Sequence, residues 1–294
     1  MTSLVASLVL AIAFAPPQAD GVSLKWKMNV GDTFYAQSVV GLEQTVTAAG
    51  KDVEQKQDQT AVSRYKVTKA DKDGYTLEQT ILQSIIETNI LPGGAGDLSK
   101  KLRGATFTIT LDDQLKVKKF EGIDDLIQKL GANDPKVKPL LAATLNEDAM
   151  KKSVQDLFYC GPDKIVKVGD TWKREDTLPL GPLGDMTLAM EYKYAGSKAG
   201  TEDIVLSGKA TYAAPKKDAG GALPFKVVNA DLKTEKMAGN LSFDSKAGRL
   251  KESTMEMKMS GTLTLAINGM EVAMDLKQKI VGKTTILDKN PVVD

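Results

Sequence analysis

The stretch MEMKMSGTLTLAINGMEVAMDLKQKI, residues 255–280, decides how this chain folds. Its apolar residues alternate with polar ones, which is the period of a β-strand that buries one face. Asn268 and Gly269 interrupt the alternation, and this pair suits the two positive-φ positions of a type I′ turn. The stretch therefore predicts a long hairpin, with a strong twist or bend near Gly261. The predicted opposed pairs are Ile267–Met270, Leu265–Val272, Leu263–Met274, Gly261–Leu276, Met259–Gln278 and Met257–Ile280.

Four pairs of similar segments occur in the same order along the chain. NVGDTFY (29–35) matches KVGDTWK (167–173), and YKVTKADKDGYTLEQT from Tyr65 matches YKYAGSKAGTEDIVLSG from Tyr192. A glycine-rich loop follows in each half, LPGGAGDL from Leu91 and DAGGALPF from Asp218, and then RGATFTITLDDQLKVKKFEG from Arg103 matches AGNLSFDSKAGRLKESTMEM from Ala238. Repeated order over this length predicts an internal duplication.

Between Gly122 and about Cys160 the apolar spacing becomes helical. We therefore expect a mainly β (α+β) fold, in which a duplicated, curved antiparallel sheet has a helical insertion between its two halves. The expected divisions are a signal peptide (1–19), a first β half (20–121), a helical connection (122–162), a second β half (163–288) and a tail (289–294).

The N-terminus carries an apolar run from Leu4 to Phe14, followed by small residues and prolines. A run of this length is typical of a secretory signal peptide, and a buried helix or a membrane anchor are the alternatives. We expect an exported protein of the periplasm or cell envelope. The mature chain has no other segment apolar and long enough to suggest a transmembrane helix.

Composition excludes several classes of function. The chain has no histidine and one cysteine, Cys160, so histidine-based catalysis, a histidine zinc site and an intramolecular disulfide are excluded. The 39 basic and 38 acidic residues nearly balance, without the concentrated basic surface that a nucleic-acid partner requires. We expect no enzymatic activity, no metal, no cofactor and no nucleic-acid partner.

The repeated GDT phrase is the first candidate site, because glycine and aspartate also occur in metal and phosphate loops. Apolar residues precede each copy and an aromatic residue follows it, which indicates a strand, a tight turn and another strand. We predict a structural turn in each half, capped by the aspartate. The residues concerned are Gly31, Asp32, Gly169 and Asp170. DKDG (71–74) and PGGAG (92–96) lack the remaining residues of a calcium or phosphate loop, so we interpret them as a turn and a loop.

Methionines are concentrated in the second half, and eight of the eleven lie between Met186 and Met274. Such residues fit an ordinary core, an adaptable surface for an apolar ligand, or a Cu(I) site, and the lack of histidine disfavours copper. Cys160 is interpreted as a buried apolar residue. The candidate ligand-binding residues on one strand face and its partner are Met255, Met257, Met259, Leu263 and Met274.

The GDT phrases, LDDQLKVKKFEGIDDLIQKLG (111–131) and VKVGDTWKREDTLPLGPLG (166–184) resemble an uncharacterised family of exported bacterial proteins with a domain of unknown function. The resemblance implies export and a mostly β fold, and it brings no catalytic residue. Tyr159, Cys160 and Gly161 depart from the family pattern, which more often has an apolar residue directly before the proline.

The sequence thus favours a non-enzymatic cell-envelope protein that binds an apolar or lipid-like ligand on a concave sheet face. The alternative is a structural or protein-interaction module with a filled core and no small ligand, whose partner is another envelope protein.

Overall fold

The computed structural model describes residues 21–89, 99–131, 147–180, 183–215, 225–267 and 269–292. The predicted signal peptide, both glycine-rich loops that follow Thr88 and Pro215, and Asn268 of the predicted turn lie outside these residues. The strands are β1 Thr33–Ala48, β2 Lys51–Asp71, β3 Gly74–Thr88, β4 Thr106–Asp112, β5 Val117–Glu121, β6 Thr171–Pro179, β7 Asp185–Lys198, β8 Thr201–Ala213, β9 Phe225–Asp244, β10 Arg249–Ile267 and β11 Met270–Leu287. The helices Ile123–Gly131 (α1) and Glu147–Phe158 (α2) lie between β5 and β6 in the chain.

All eleven strands belong to one antiparallel sheet of order β5-β4-β3-β2-β1-β11-β10-β9-β8-β7-β6. Strands make up 68% of the residues that the structure describes, which confirms the prediction of a mainly β fold. In space the first five strands and the next five follow the same order, with β11 between them. This arrangement is compatible with two repeated halves, while the duplication itself and the insertion of a helical segment into it stay predictions.

The β10–β11 hairpin has the register that the sequence predicts. All six predicted pairs, from Met257–Ile280 to Ile267–Met270, are direct partners. Gly261 has a φ of +150°, and a Cβ atom there would lie 1.9 Å from the carbonyl oxygen of Asp231 on β9. Only glycine fits at this close approach between two backbones.

The sheet curls so that both of its edges reach the same helix. Eleven strands about 4.8 Å apart would form a flat sheet about 48 Å wide, whereas the 12 residues of α2 extend over about 18 Å. Gln155 of α2 nevertheless bonds to Val117 at one edge, while Asp156 of α2 pairs with Arg174 at the other. The face that carries α2 is therefore concave, and we call it the inward face.

One core connects the two predicted halves. Trp26 packs between Phe34 of β1 and Phe158 of α2, with ring centroids 5.2 Å apart in each case, and Tyr65 of β2 stacks on Phe34. Apolar residues of the other half, including Phe243, belong to the same buried cluster. This core lies at the end of the sheet that carries α2, called the helix end, and the opposite end, with the β1–β2 and β10–β11 turns, is called the tip end.

Candidate functional site

The inward face of the four central strands is uncharged over most of its length. The described inward positions are the even residues 34–48 of β1, the odd residues 53–67 of β2, the odd residues 253–267 of β10 and the even residues 270–286 of β11, as the pairing requires. None of these positions carries Asp, Glu, Lys or Arg, whereas Lys51, the exposed partner of Ala48 at the tip end, is a charged inward residue of β2. The outward positions between the inward ones carry charged residues, for example Lys277, Lys279 and Lys283 on β11. The alternation of the strands thus separates a charged outer surface from a neutral inner one.

The structure places all five predicted ligand-binding residues on this inward face, but it buries two of them. Met257 and Met259 are 5% and 2% exposed, respectively, because side chains from β7, β8, β9 and β11 pack against them. Met255, Leu263 and Met274 are half-buried, and Leu263 and Met274 are direct partners. The methionine strand is therefore a filled core at its centre and a partly open surface toward the tip end.

An open space lies beside Met255, on the inward side of Gly282. Gly282 pairs with Val40 on one side and Met255 on the other, and a Cβ atom added to it would meet no atom within 4 Å. In contrast, a Cβ at the inward Gly208 of β8 would lie 2.6 Å from the carbonyl oxygen of Ala189. The backbone of β7 thus leaves no room for a side chain at Gly208, whereas the inward face is open at Gly282 of β11.

A cavity of about 210 Å³ lies between α2 and the same central strands. Small side chains on all four strands make room for it, and Ser153, Asp156 and Leu157 of α2 cover it. The hydroxyl groups of Thr284 and Ser38 are hydrogen-bonded to each other across β11 and β1, 3.4 Å apart. The helix end of the inward face therefore keeps a small chamber lined with hydroxyl groups. The strand residues that line it are Ala36, Ser38, Ala61, Ser63, Tyr65, Leu250, Ser253 and Thr284.

Glutamine side chains form a row across three strands, midway along the inward face. The Nε2 of Gln278 donates to Oε1 of Gln44 at 3.2 Å, and the Nε2 of Gln44 donates to Oε1 of Gln55 at 3.5 Å. These three residues also line a cavity of about 380 Å³, and its charged lining residues, such as Glu43 and Lys279, occupy alternate strand positions. The row supplies hydrogen-bond donors and acceptors without charge.

At the tip end, the inward face exposes apolar side chains. Met270 is 67% exposed and Val53 is 59% exposed. Behind them, the inward residues of β1, β10 and β11 on the tip side of the glutamine row include half-buried apolar side chains, namely Val46, Leu263, Leu265, Ile267, Val272 and Met274. A contiguous apolar surface of this kind is typical of a binding site.

Charged inward residues occur on β6 and β8, where they are paired. Arg174 bonds to Asp156 and Asp176 at 2.6 Å each and lies 4.2 Å over the ring of Tyr159. Burial alone would lower the pKa of Arg174, but the two carboxylates hold it above its ordinary value. Glu202 of β8 is buried and accepts a hydrogen bond from the hydroxyl of Tyr194. These charged groups stabilise the fold, because each is bonded to another residue of the chain.

The two GDT segments are structural turns with the same geometry. Gly31 and Gly169 have φ angles of +93° and +94°. In each turn the aspartate Oδ2 accepts a backbone N–H three residues earlier, at 2.7 Å for Asp32 and 2.9 Å for Asp170. The glycine N–H bonds to a neighbouring strand, to Val67 in one copy and to Tyr194 in the other. The aspartates are thus occupied as caps.

The remaining features do not assemble a catalytic or metal centre within the described residues. No group of three or more Cys, Asp or Glu residues there has the geometry to hold a metal ion. Cys160 is buried, and burial raises the pKa of its thiol to about 12, so it is unreactive near neutral pH. A further cavity, of about 830 Å³, lies on β6–β9 where the pairing of β8 with β9 ends at Ser207, and its lining includes Arg174, Gly208 and Met237.

Sequence reasoning identified the methionine strand but missed the glutamines and Gly282. The signal for the glutamines is the segment QKQDQ (55–59), in which amides alternate with charges, as in a strand with one neutral polar face. Gly282 carries no comparable signal, because its importance depends on which side chains surround it.

Comparisons with known proteins place the chain in a family of unknown function. The family model "Family of unknown function (DUF6263)" matches residues 83–290, and no curated protein matches the chain. Among solved structures, a lipovitellin structure on lipid–protein interactions is 10% identical with a TM-score of 0.43, covering 91% of this chain and 26% of that one. The outer membrane protein OprG from Pseudomonas aeruginosa is 7% identical with a TM-score of 0.22, and the match covers 90% of this chain and 98% of that one. The chain thus spans about a quarter of the lipovitellin chain, and at these TM-scores neither likeness carries a functional argument. In the described residues, no helix has the length and hydrophobicity needed to cross a membrane.

Proposed function

The chain belongs to the DUF6263 family, whose function is unknown, and we propose that it is a non-enzymatic exported protein of the cell envelope that binds an apolar or lipid-like ligand. The ligand lies on the inward face of the central strands, between the hydroxyl-lined chamber below α2 and the apolar tip end. Its contacts there include Met255, Leu263 and Met274.

The open space at Gly282 is the observation that carries this proposal. A neutral, apolar face that the described chain leaves partly open next to a chamber of about 210 Å³ resembles the sites that bind small apolar molecules. Binding there would remove the half-buried apolar side chains from water, which stabilises a complex by about 25 cal/mol per Å² before the costs of association.

The absence of enzymatic activity is part of the proposal. Catalysis needs a nucleophile or base within reach of a bound substrate. On the open part of the inward face the described polar groups are amides and hydroxyls, and the aspartates of the GDT turns are bonded to backbone N–H groups. These groups can bind and orient a ligand.

Native mass spectrometry of the purified mature protein tests the proposal directly. The expected result is an added mass that disappears after organic extraction, together with uptake of an apolar fluorophore by the extracted protein. An unliganded mass and no fluorophore uptake would refute ligand binding. Secretion of a fusion to residues 1–30, with residues 1–20 deleted as the control, tests export, and retention of both in the cytoplasm would refute it.

A matched pair of substitutions on β11 locates the ligand. Met274 lies on the inward face, and the next residue, Ala273, lies on the outward face and is exposed. Met274→Lys places a charge in the proposed site and is expected to weaken fluorophore binding at least tenfold. Ala273→Lys adds the same charge outside and is expected to bind as the parent protein does. Equal effects of the two variants would move the site away from this face.

A structural or protein-interaction module is the second candidate, and the burial of Met257 and Met259 favours it. In that case the inward face is simply core, and the apolar tip end contacts an envelope protein. Extraction would then leave the mass of the protein unchanged and the protein would take up no fluorophore, whereas substitution of the exposed Met270 by Lys would weaken binding of a protein partner.

A further inference from the structure

The inward face has two different walls on either side of β1 and β11. On β2, the amides Gln55, Gln57 and Gln59 point inward, while Lys56 and Asp58 point outward. On β10, the inward positions at the same depth are Met255, Met257 and Met259. With β1 and β11 between them, the walls are three strand spacings apart, or about 14 Å along the sheet. We call them the amide wall and the methionine wall.

The amide wall has unused hydrogen-bonding capacity. Gln55 belongs to the glutamine row, but the side chains of Gln57 and Gln59 make no hydrogen bond to the part of the chain that the structure describes. Both residues are half-buried on a face whose neighbouring positions on β1, Leu42 and Val40, are apolar. Partly burying an amide without a partner is unfavourable, and a ligand group that bonds to it removes that cost.

The space between the walls adjoins the amides on one side and an apolar surface on the other. Gly282 of β11 pairs with Met255 of β10 on one side and with Val40 of β1 on the other. Val40 in turn pairs with Gln59 of β2. The open space at Gly282 is thus one strand spacing from the methionine wall and two strand spacings, about 10 Å along the sheet, from the amide wall. A molecule that touches both walls must therefore extend from this space across Val40 to β2.

The charge of the inward face determines which class of molecule can bind between the two walls. An anionic head group buried here would lie among amides and hydroxyls, because the charged inward Lys51 of β2 lies at the tip end, six residues along the strand from Gln57. The inward Arg174 of β6 is already paired with two carboxylates. Burying an unpaired carboxylate or phosphate is far more costly than burying a hydrogen-bonded ester or hydroxyl.

We propose that the ligand is an uncharged single-chain amphiphile of the monoacylglycerol type, with its carbonyl or hydroxyl head on Gln57 and Gln59 and its chain directed along β10 and β11 to the tip end. This inference rests on the proposed function and adds the ligand class to it. Amides accept and donate hydrogen bonds at once, so they match a head group with both an ester carbonyl and hydroxyl groups.

Displacement of the neutral fluorophore N-phenyl-1-naphthylamine from the full mature protein tests this class. 1-Monolauroylglycerol and laurate carry the same chain, but at pH 8.5 only laurate is charged. The expected result is at least tenfold stronger displacement by the glyceride. Equal or stronger displacement by laurate would overturn the inference and leave the proposed function standing, whereas no uptake of the fluorophore would remove both.

Two neighbouring substitutions on β2 locate the head group. Gln59 is inward and Thr60 is outward, so Gln59→Lys and Thr60→Lys add the same charge to opposite faces. Gln59→Lys is expected to reverse the preference in favour of laurate, because the lysine supplies the missing cation, and Thr60→Lys is expected to leave it unchanged. Urea unfolding shows whether each variant is folded, and Gln57→Lys replaces the first variant if it is not. Equal preferences in the inward and outward variants would overturn the placement of the head group.

Discussion

Substitution of Gly282 by phenylalanine distinguishes an open inward face from a filled one through the sign of its effect on stability. A Cβ atom at Gly282 meets no atom within 4 Å, and the backbone there is extended, so a larger side chain fits without strain. Glycine inside a strand costs about 0.5–1 kcal/mol relative to alanine, and aromatic residues favour strands further. Gly282→Phe is therefore expected to raise the free energy of unfolding by about 0.5–1 kcal/mol.

The same substitution is expected to weaken ligand binding. The phenyl ring would occupy the space between Met255 and Val40, which is where the proposed ligand crosses from the amide wall to the methionine wall. We expect at least a tenfold loss of affinity for the neutral fluorophore, equivalent to about 1.4 kcal/mol. Few substitutions combine a gain in stability with a loss of binding, and this combination indicates a site rather than a core.

Urea unfolding and fluorophore titration measure the two effects. Val281→Phe is the control, because Val281 is the outward neighbour and is 43% exposed; it should change neither quantity by more than a few tenths of a kcal/mol. If the face is instead filled, Gly282→Phe overpacks it and costs about 1–3 kcal/mol. A lower unfolding midpoint at an unchanged denaturant slope would therefore refute the reasoning.

Three further predictions concern the framework around the site. Asp32→Ala and Asp170→Ala should each lower stability by about 0.5–2 kcal/mol, measured by thermal melting, because each removes the acceptor of a turn; an unchanged melting temperature would contradict the capping role. Gln155→Ala should speed hydrogen exchange at the amide of Val117, which the Gln155 side chain binds at 2.8 Å, and unchanged exchange would show that α2 does not hold this edge. The Cys160 thiol should resist alkylation at pH 8 until the protein is denatured. Because its pKa is raised from 9.0 to about 12 by burial, its contribution to stability is complete below pH 9 and is lost as the pH rises toward 12.

The β10–β11 hairpin could be predicted from the sequence because its determinants are local. The alternation of apolar and polar residues and the turn at Gly269 together determine which residues of β10 and β11 are partners. A shift of this pairing by one residue would turn every apolar side chain to the outer face. The GDT turns are local for the same reason, since Asp32 reaches a backbone N–H only three residues away.

The sheet order and the open space could not be predicted, because they depend on contacts between distant residues. The pairing of β1 with β11, for example Ala36 with Ile286, joins the two ends of the chain and has no turn between them. Met257 and Met259 have the same sequence pattern as Met255, yet they are buried because β7 and β8 curl over them. Whether an inward methionine is core or surface is decided by the curl of the whole sheet.

The strand order also explains why the available part of the inward face lies toward the tip end. Because β11 pairs with β1, the consecutive strands β5 and β6 become opposite edges of the sheet, and the chain between them must cross one face. Helix α2 makes this crossing on the inward face, and its contacts with Val117 and Arg174 hold the two edges near each other. The crossing buries Phe158 against Trp26 and Tyr65 and so fills the helix end. A ligand therefore finds its apolar contacts on the tip-end halves of β1, β10 and β11, where Leu263 and Met274 stay half-buried.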